Sequence, residues 1–307
     1  MLEVPRDCPI CPQGGHPAVE IAGLGFDIIR CQDCGLFYQR SSPNSAPVDP
    51  YGSLYDDTPG AETLSQALSD RHAIPPLKAV ALDIARAGYP GGNLLDVGCA
   101  HGLLVGYMNR QGWTAAGIDL SENATRWARS QGLDCRCLPI EDFHPPKPYD
   151  VIVLKHVLEH LQDPIAVLRR LATWLSKDGM IYVRVPNAAS WAVTFTRRSF
   201  IGHLKPFEHL FYYTPTSLCP LCAKAGLSIQ VEVAKRHTIS DLINYQIRSR
   251  IVLRESWKRI RYPSEQQTQN RLRSLVVRTY STLLGVPNRI SVGPADAEIV
   301  ACIRLAP

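Results

Sequence analysis

No stretch of 18 apolar residues occurs anywhere in the 307-residue chain, which excludes a helix of bilayer-spanning type. The opening residues, Met1 to Cys8, lack the basic-then-apolar order of a secretory leader, so a cytoplasmic location is expected. In that compartment the ten cysteines are expected to stay reduced. Metal binding then outranks disulfides wherever spacing allows it. The Gly-Lys-Ser/Thr of a phosphate-binding loop is missing. So is the G-x-G-x-x-G of a nicotinamide site: the small residues Gly98, Ala100 and Gly102 are spaced two apart. Residues 1 to 35 hold only two basic side chains, Arg6 and Arg30, too few to grip a nucleic-acid backbone.

What is present starts with composition. At 45% hydrophobic and 20% charged, the chain reads as folded and globular, long enough for one large domain and an accessory module. Its organising stretch is Asn93 to Gly102, N-L-L-D-V-G-C-A-H-G. Leu94, Leu95 and Val97 predict a short strand. A tight small-residue turn follows, then a helix over Leu103 to Arg110. Small residues let a ligand approach the backbone, and the helix start offers unpaired N–H groups. Gly117-Ile118-Asp119 ends the next apolar segment, and a carboxylate there can take both hydroxyls of a ribose. The pattern predicts a nucleoside-bearing cofactor. Asp96, two residues before Gly98, suits a ligand carrying an ammonium and a sulfonium rather than a pyrophosphate.

Cys8-Pro9-Ile10-Cys11 and Cys31-Gln32-Asp33-Cys34 form two C-x-x-C knuckles. The spacing predicts one zinc ion held by Cys8, Cys11, Cys31 and Cys34, a closed and therefore structural site with no need of His16. Ser41 to Gly60, with Tyr51 and Tyr55, reads as a linker or lid strap, and Glu62 to Ala87 as a helix interrupted at Pro75-Pro76. Strands are predicted over Leu133 to Leu138, Tyr149 to Leu154, Met180 to Val185 and Ile229 to Val233. Between them lie helices from Ser121 to about Gln131, from Asp163 to about Ser176 and from Thr214 to about Gly226. A last strand, Ala297 to Leu305, suits antiparallel pairing. The alternation predicts an α/β fold with a parallel sheet covered on both faces. A third C-x-x-C, Cys219 to Cys222, falls at helical spacing with Leu218, Leu221 and Ala225 and reads as core.

These segments resemble the class I S-adenosylmethionine-dependent methyltransferases. The likeness rests on L-L-D-V-G-C-A-H-G, G-I-D-L-S, Y-D-V-I-V-L-K-H-V-L-E-H-L-Q-D-P and F-E-H-L-F-Y-Y-T-P-T-S-L, and covers roughly residues 90 to 235. It implies a Rossmann-like seven-stranded sheet with a small N-terminal zinc ribbon and a helical insertion before the last strand. The divisions would be 1–40, 41–90, 91–237, 238–290 and 291–307. It implies that Asp96, Gly98, Ala100 and Gly102 flank the methionine part of S-adenosylmethionine. Asp119, with Leu120 beside it, would hold the ribose. Ile140, Glu141 and Asp142 would sit by the adenine, and Lys155 would touch the cofactor through its backbone. Ala100 stands where the commonest form has glycine, which is tolerated if its φ is negative.

Zinc knuckles ahead of such a domain are similar to those of bacterial sugar methyltransferases, whose Glu-His and aromatic pairs resemble Glu208-His209 and Tyr212-Tyr213. In their C-methylating members a tyrosine precedes that histidine by three residues. Pro206 stands there here, so the resemblance implies O-methylation over C-methylation, on a sugar or other small acceptor, free or linked to a nucleotide or lipid. His209 is the candidate base, Glu208 its orienter, and His156 is balanced between acceptor contact and packing. His160 reads as a packing or capping residue. Docking of RNA through the zinc module is the alternative. The segment 240–284 carries nine Arg or Lys against three Asp or Glu. It reads as a solvated face or dimer arm, or as a basic amphipathic surface for anionic lipid at the inner membrane face.

Overall fold

The protein is described by a computed structural model over residues 7–11, 15–21, 26–41, 62–70, 73–189, 209–233, 236–238, 291–296 and 298–306. Of the strap read over Ser41 to Gly60, residues 42–60 lie outside the described residues, as do Glu208 and the basic segment 240–284.

The chain opens with three short antiparallel strands, β1 (Pro17–Ile21), β2 (Phe26–Cys31) and β3 (Phe37–Ser41). A one-turn helix α1 (Leu64–Ala67) and the longer α2 (Ile74–Arg86) follow. Pro75-Pro76 begins α2 rather than interrupting a longer helix. Prolines fit the first turn because the N–H groups they lack have no partner there anyway. Leu77, Val80 and Ile84, at helical spacing, are the face that α2 buries.

The Rossmann-like body alternates β4 (Asn93–Val97), α3 (Leu103–Arg110), β5 (Thr114–Asp119), α4 (Glu122–Ser130), β6 (Cys135–Cys137), β7 (Tyr149–Lys155), α5 (Pro164–Ala172) and β8 (Leu175–Pro186). Then come β9 (Phe211–Tyr212), α6 (Pro215–Lys224), β10 (Leu227–Val233), β11 (Arg236–Thr238), β12 (Ser291–Asp296) and β13 (Glu298–Leu305). Capping sets the helix starts: Ser121 accepts from the Ala124 N–H, Asp163 from the Ala166 N–H, and Thr214 forms a reciprocal box with Ser217. Helix α5 stops at Ala172, shorter than the expected end near Ser176, because Leu175 already begins β8.

The main sheet has seven strands in the order β10-β13-β8-β7-β4-β5-β6. The five from β8 to β6 are parallel, while β13 runs antiparallel to both β8 and β10. The sheet is therefore mixed at one side, not parallel throughout. Successive residues of β4 feed opposite cores. Leu95 and Val97 join a cluster with Leu154 and Leu168, whereas Leu94 joins Val80 and Met108 on the other face. Cys222, Leu218, Leu221 and Ala225 are buried in the first cluster, as their helical spacing predicts, and Cys219 faces outward. Among the described residues no helix is long and apolar enough to cross a membrane.

Candidate active site

A cavity of about 750 Å³ opens beyond the carboxyl ends of β4, β5 and β7, where ligands of doubly wound sheets bind. Its first wall is the turn after β4. Gly98 has φ +75°, and a Cβ there would lie 2.4 Å from Val157 Cγ2, so only glycine fits. Ala100 has φ +47°, contrary to the expected negative angle. This left-handed conformation costs a side-chain-bearing residue on the order of 1 kcal/mol. What it gains is aim: the Ala100 N–H donates to Asp119 Oδ2 at 2.7 Å. Asp119 Oδ1 accepts the Ser121 N–H at 2.8 Å. One carboxylate thus ties together the loops after β4 and β5. Each of its oxygens keeps a further lone pair, and Asp119 lines the cavity.

Leu120, Ile140 and Glu141 line the same end, and Leu120 is 56% exposed, a large apolar surface left open. Gly102, Asp142 and Asp96 do not line it. Gly102 instead packs where a Cβ would meet Cys135 Sγ at 2.8 Å. Asp96 is buried on β4, and burial pushes its carboxyl up to about 7 against the opposing pull of Lys155.

The other end is built on the segment after β7. Lys155, His156 and His160 line it. His156 also has a positive φ, +55°, which lets its ring reach two carboxylates. Its Nδ1 lies 3.6 Å from Glu159 Oε1 and its Nε2 3.3 Å from Glu298 Oε1. Arg184 donates Nε and Nη2 to Glu298 Oε2 at 2.9 and 2.6 Å. His209 is buried one ring behind the wall: its imidazole packs edge-on against His160 with centroids 4.8 Å apart. Its Nε2 is 4.0 Å from Glu159 Oε1. Glu159 is 1% exposed, and neither of its carboxylate oxygens makes a hydrogen bond among the described residues. Three imidazoles around one buried carboxylate is an arrangement that sequence reading misses. Only Glu159, three residues after His156, hinted at it.

A family model described as a methyltransferase domain matches residues 70–231. The chain belongs to that family. It is an S-adenosylmethionine-dependent methyltransferase. The ubiquinone biosynthesis O-methyltransferase of Xanthomonas campestris pv. campestris is 30% identical over 174 residues, 52% of this chain and 72% of that protein. Its namesake from Chromobacterium violaceum is 26% identical over 201 residues, 58% and 86% of the two chains. Among solved structures, the plantazolicin methyltransferase BamL with SAH is 17% identical at a TM-score of 0.47, covering 78% of this chain and 88% of that one.

The methyltransferase carries its four knuckle cysteines as one cluster, with Sγ atoms all within 4.8 Å of one another. Cys8 and Cys34 stand 3.6 Å apart, as do Cys11 and Cys31. Tetrahedral zinc with Zn–S near 2.3 Å needs sulfurs about 3.8 Å apart, so the set fits. Gly15, at φ +70°, passes so close that a Cβ would meet Cys31 Sγ at 2.6 Å. His16 stays outside the set and pairs with Asp33 at 2.9 Å.

Charge at the histidine end makes stability depend on pH. Burial works to raise the Glu298 carboxyl, but His156 and Arg184 outweigh it and hold it at about 2, below the ordinary 4.5. Burial works to lower His156, but Glu159 and Glu298 outweigh it and raise it above the ordinary 6.5. The Glu298 contribution is present above 4.5 and lost as pH falls toward 2. The His156 contribution is present below 6.5 and lost as pH rises through its raised value. Both act fully between 4.5 and 6.5. The Tm deficit of Glu298→Gln relative to wild type is expected to be greatest in that window and to narrow on either side. A pH-independent deficit in scanning calorimetry would reject the linkage.

Proposed function

We propose that the methyltransferase moves a methyl group from S-adenosylmethionine to a hydroxyl oxygen of a small, sugar-like acceptor. One observation carries the reading. A single cavity has a clamped carboxylate, Asp119, at one end and the imidazoles of His156 and His160 at the other. Asp119 takes the ribose hydroxyls on its remaining lone pairs, with Leu120, Ile140 and Glu141 around the adenine. Gly98, Ala100 and Lys155 bring backbone to the methionine part, Gly102 starts the helix behind them, and Asp96 and Asp142 support the turn and the adenine loop. The bound sulfonium supplies the methyl group. The acceptor oxygen forms the new C–O bond, the C–S bond breaks, and the acceptor's proton passes to the His160 imidazole lining the cavity, which gives up its own proton to His209 packed behind it. His209 is the base, and Glu159 supplies the carboxylate that balances the imidazolium.

His156, held toward its charged form by two carboxylates, serves as a hydrogen-bond donor to the acceptor. The cysteine cluster binds one structural zinc ion. The O-methyltransferase names of the curated relatives support oxygen as the methylated atom, and the ubiquinone biosynthesis in those names supplies a second acceptor class, a ubiquinone precursor.

The test is a panel of nucleotide sugars, lipid-linked sugars and ubiquinone precursors, each incubated with methyl-labelled S-adenosylmethionine. Label in a methyl ether of a sugar is the expected result. Label confined to the ubiquinone precursors would move the acceptor class, and label on carbon would overturn O-methylation.

A further inference from the structure

The residues immediately after His209 do not belong to the methyltransferase sheet. Strand β9 pairs with β3, Phe37 opposite Tyr212 and Tyr38 opposite Phe211, and so becomes the fourth strand of the cysteine module's own sheet. Leu210, the immediate neighbour of His209, is gripped from two directions. Its N–H donates to the Glu159 carbonyl at 2.9 Å, on the catalytic side. Its carbonyl accepts the Gln39 N–H at 2.9 Å, on the module side. Beyond β9, the Tyr213 hydroxyl donates to the Leu158 carbonyl at 3.2 Å. The two sides also share one apolar core, in which Cys31, Leu36 and Tyr38 pack in a single cluster with Leu158, Leu210 and Phe211.

A two-residue strand has no stability of its own, so its partner strand fixes where it lies. That partner belongs to a ribbon of three short strands built around four cysteines. A unit so small depends on a staple for its order. An independent docking module would leave the core's hydrogen bonding complete without it. Here the module supplies a hydrogen bond one residue from the proposed base.

We propose that the cysteine module is a positioning element of the acceptor site: metal loading at Cys8, Cys11, Cys31 and Cys34 orders β3, and β3 seats His209 through the Gln39–Leu210 bond. Gln39 and Leu210 are the positioning residues, acting through their backbone. The inference rests on the zinc and His209 readings above and extends them to a coupling between the two. The cofactor end, built from the loops after β4 and β5, contains none of these bonds and is expected to be indifferent to the metal.

The experiment compares zinc-loaded wild type, wild type stripped by a chelator, the stripped protein reloaded with zinc, and zinc-loaded Gln39→Pro. The substitution deletes the N–H that faces Leu210. Hydrogen exchange is followed in segments 209–214, 26–31 and 93–97, with calorimetry for S-adenosylmethionine and metal analysis alongside. Stripping should speed exchange at 209–214 by at least about tenfold and leave 93–97 protected, a sub-global opening. Affinity for S-adenosylmethionine should stay within about twofold, since the cofactor end keeps its bonds. Reloading should restore protection in wild type. Gln39→Pro should hold zinc and protect 26–31 yet exchange fast at 209–214. With the acceptor found in the panel, its kcat should fall while the KM for S-adenosylmethionine holds.

Unchanged exchange at 209–214 when 26–31 opens would overturn the coupling. So would loss of cofactor binding on stripping, which would make the metal a staple of the whole fold. Metal analysis tests the zinc reading separately. Turnover of His209→Ala tests the base, so failure of either is distinguishable from failure of the coupling.

Discussion

Asp119→Ala is expected to weaken S-adenosylmethionine binding by on the order of a hundredfold or more, since a hydrogen bond to a charged group is worth about 1.5–3 kcal/mol and the proposed placement gives Asp119 both ribose hydroxyls. The substitution also releases the Ala100 and Ser121 N–H groups that this carboxylate holds. Ala100 then keeps a left-handed backbone with nothing to offset its strain. Asp119→Asn, which retains one acceptor oxygen, should fall between wild type and the alanine variant. Calorimetric titration measures all three. An alanine variant that binds within threefold of wild type would remove Asp119 from the ribose.

His209→Ala is expected to lower kcat by ~10²–10⁴-fold, the usual worth of a positioned base. Cofactor affinity should not move, because His209 lies behind the histidine end of the cavity, packed against His160, and does not line it. Glu159→Gln should lower kcat in the same direction by less: the neutral amide cannot balance a developing imidazolium, and the site keeps its shape. A larger loss for His160→Ala than for His209→Ala would reassign the base to the ring that itself lines the cavity. Normal turnover in His209→Ala would leave that histidine a packing residue against His160 and Tyr212.

Much of the body was legible because its signals are local. Apolar runs bounded by caps place β4, β5, β7 and their helices within a few residues, and strand-end position singles out Asp119. The cysteine spacing likewise brings four sulfurs together. Where reading failed, the cause was tertiary. Pro75-Pro76 looks like a break until Ile74 is known to begin the helix. Ala100 was expected at negative φ because its own preference says so, yet Asp119, nineteen residues on, dictates the turn. Strand β9 is too short for any period to show. Glu159 passes for an ordinary polar residue in a 3₁₀ turn, and only the approach of His209 from beyond β8 makes it the centre of a charged cluster. Glu298 belongs to the same lesson, since its partners His156 and Arg184 lie more than a hundred residues earlier.

That last strand bears on the order in which the enzyme can be made. Strand β13 lies between β8 and β10, and both of those precede it in the chain. While the chain is emerging from a ribosome and has reached residue 290, β8 and β10 therefore present two open edges with a strand-wide gap between them. Residues 298–305 close the gap, and Glu298 arrives with them to meet His156. The sheet and the ionic wall of the active site are thus completed together, and only once β13 has joined the strands that precede it. Until then the unfinished edges are surfaces for a chaperone or for aggregation.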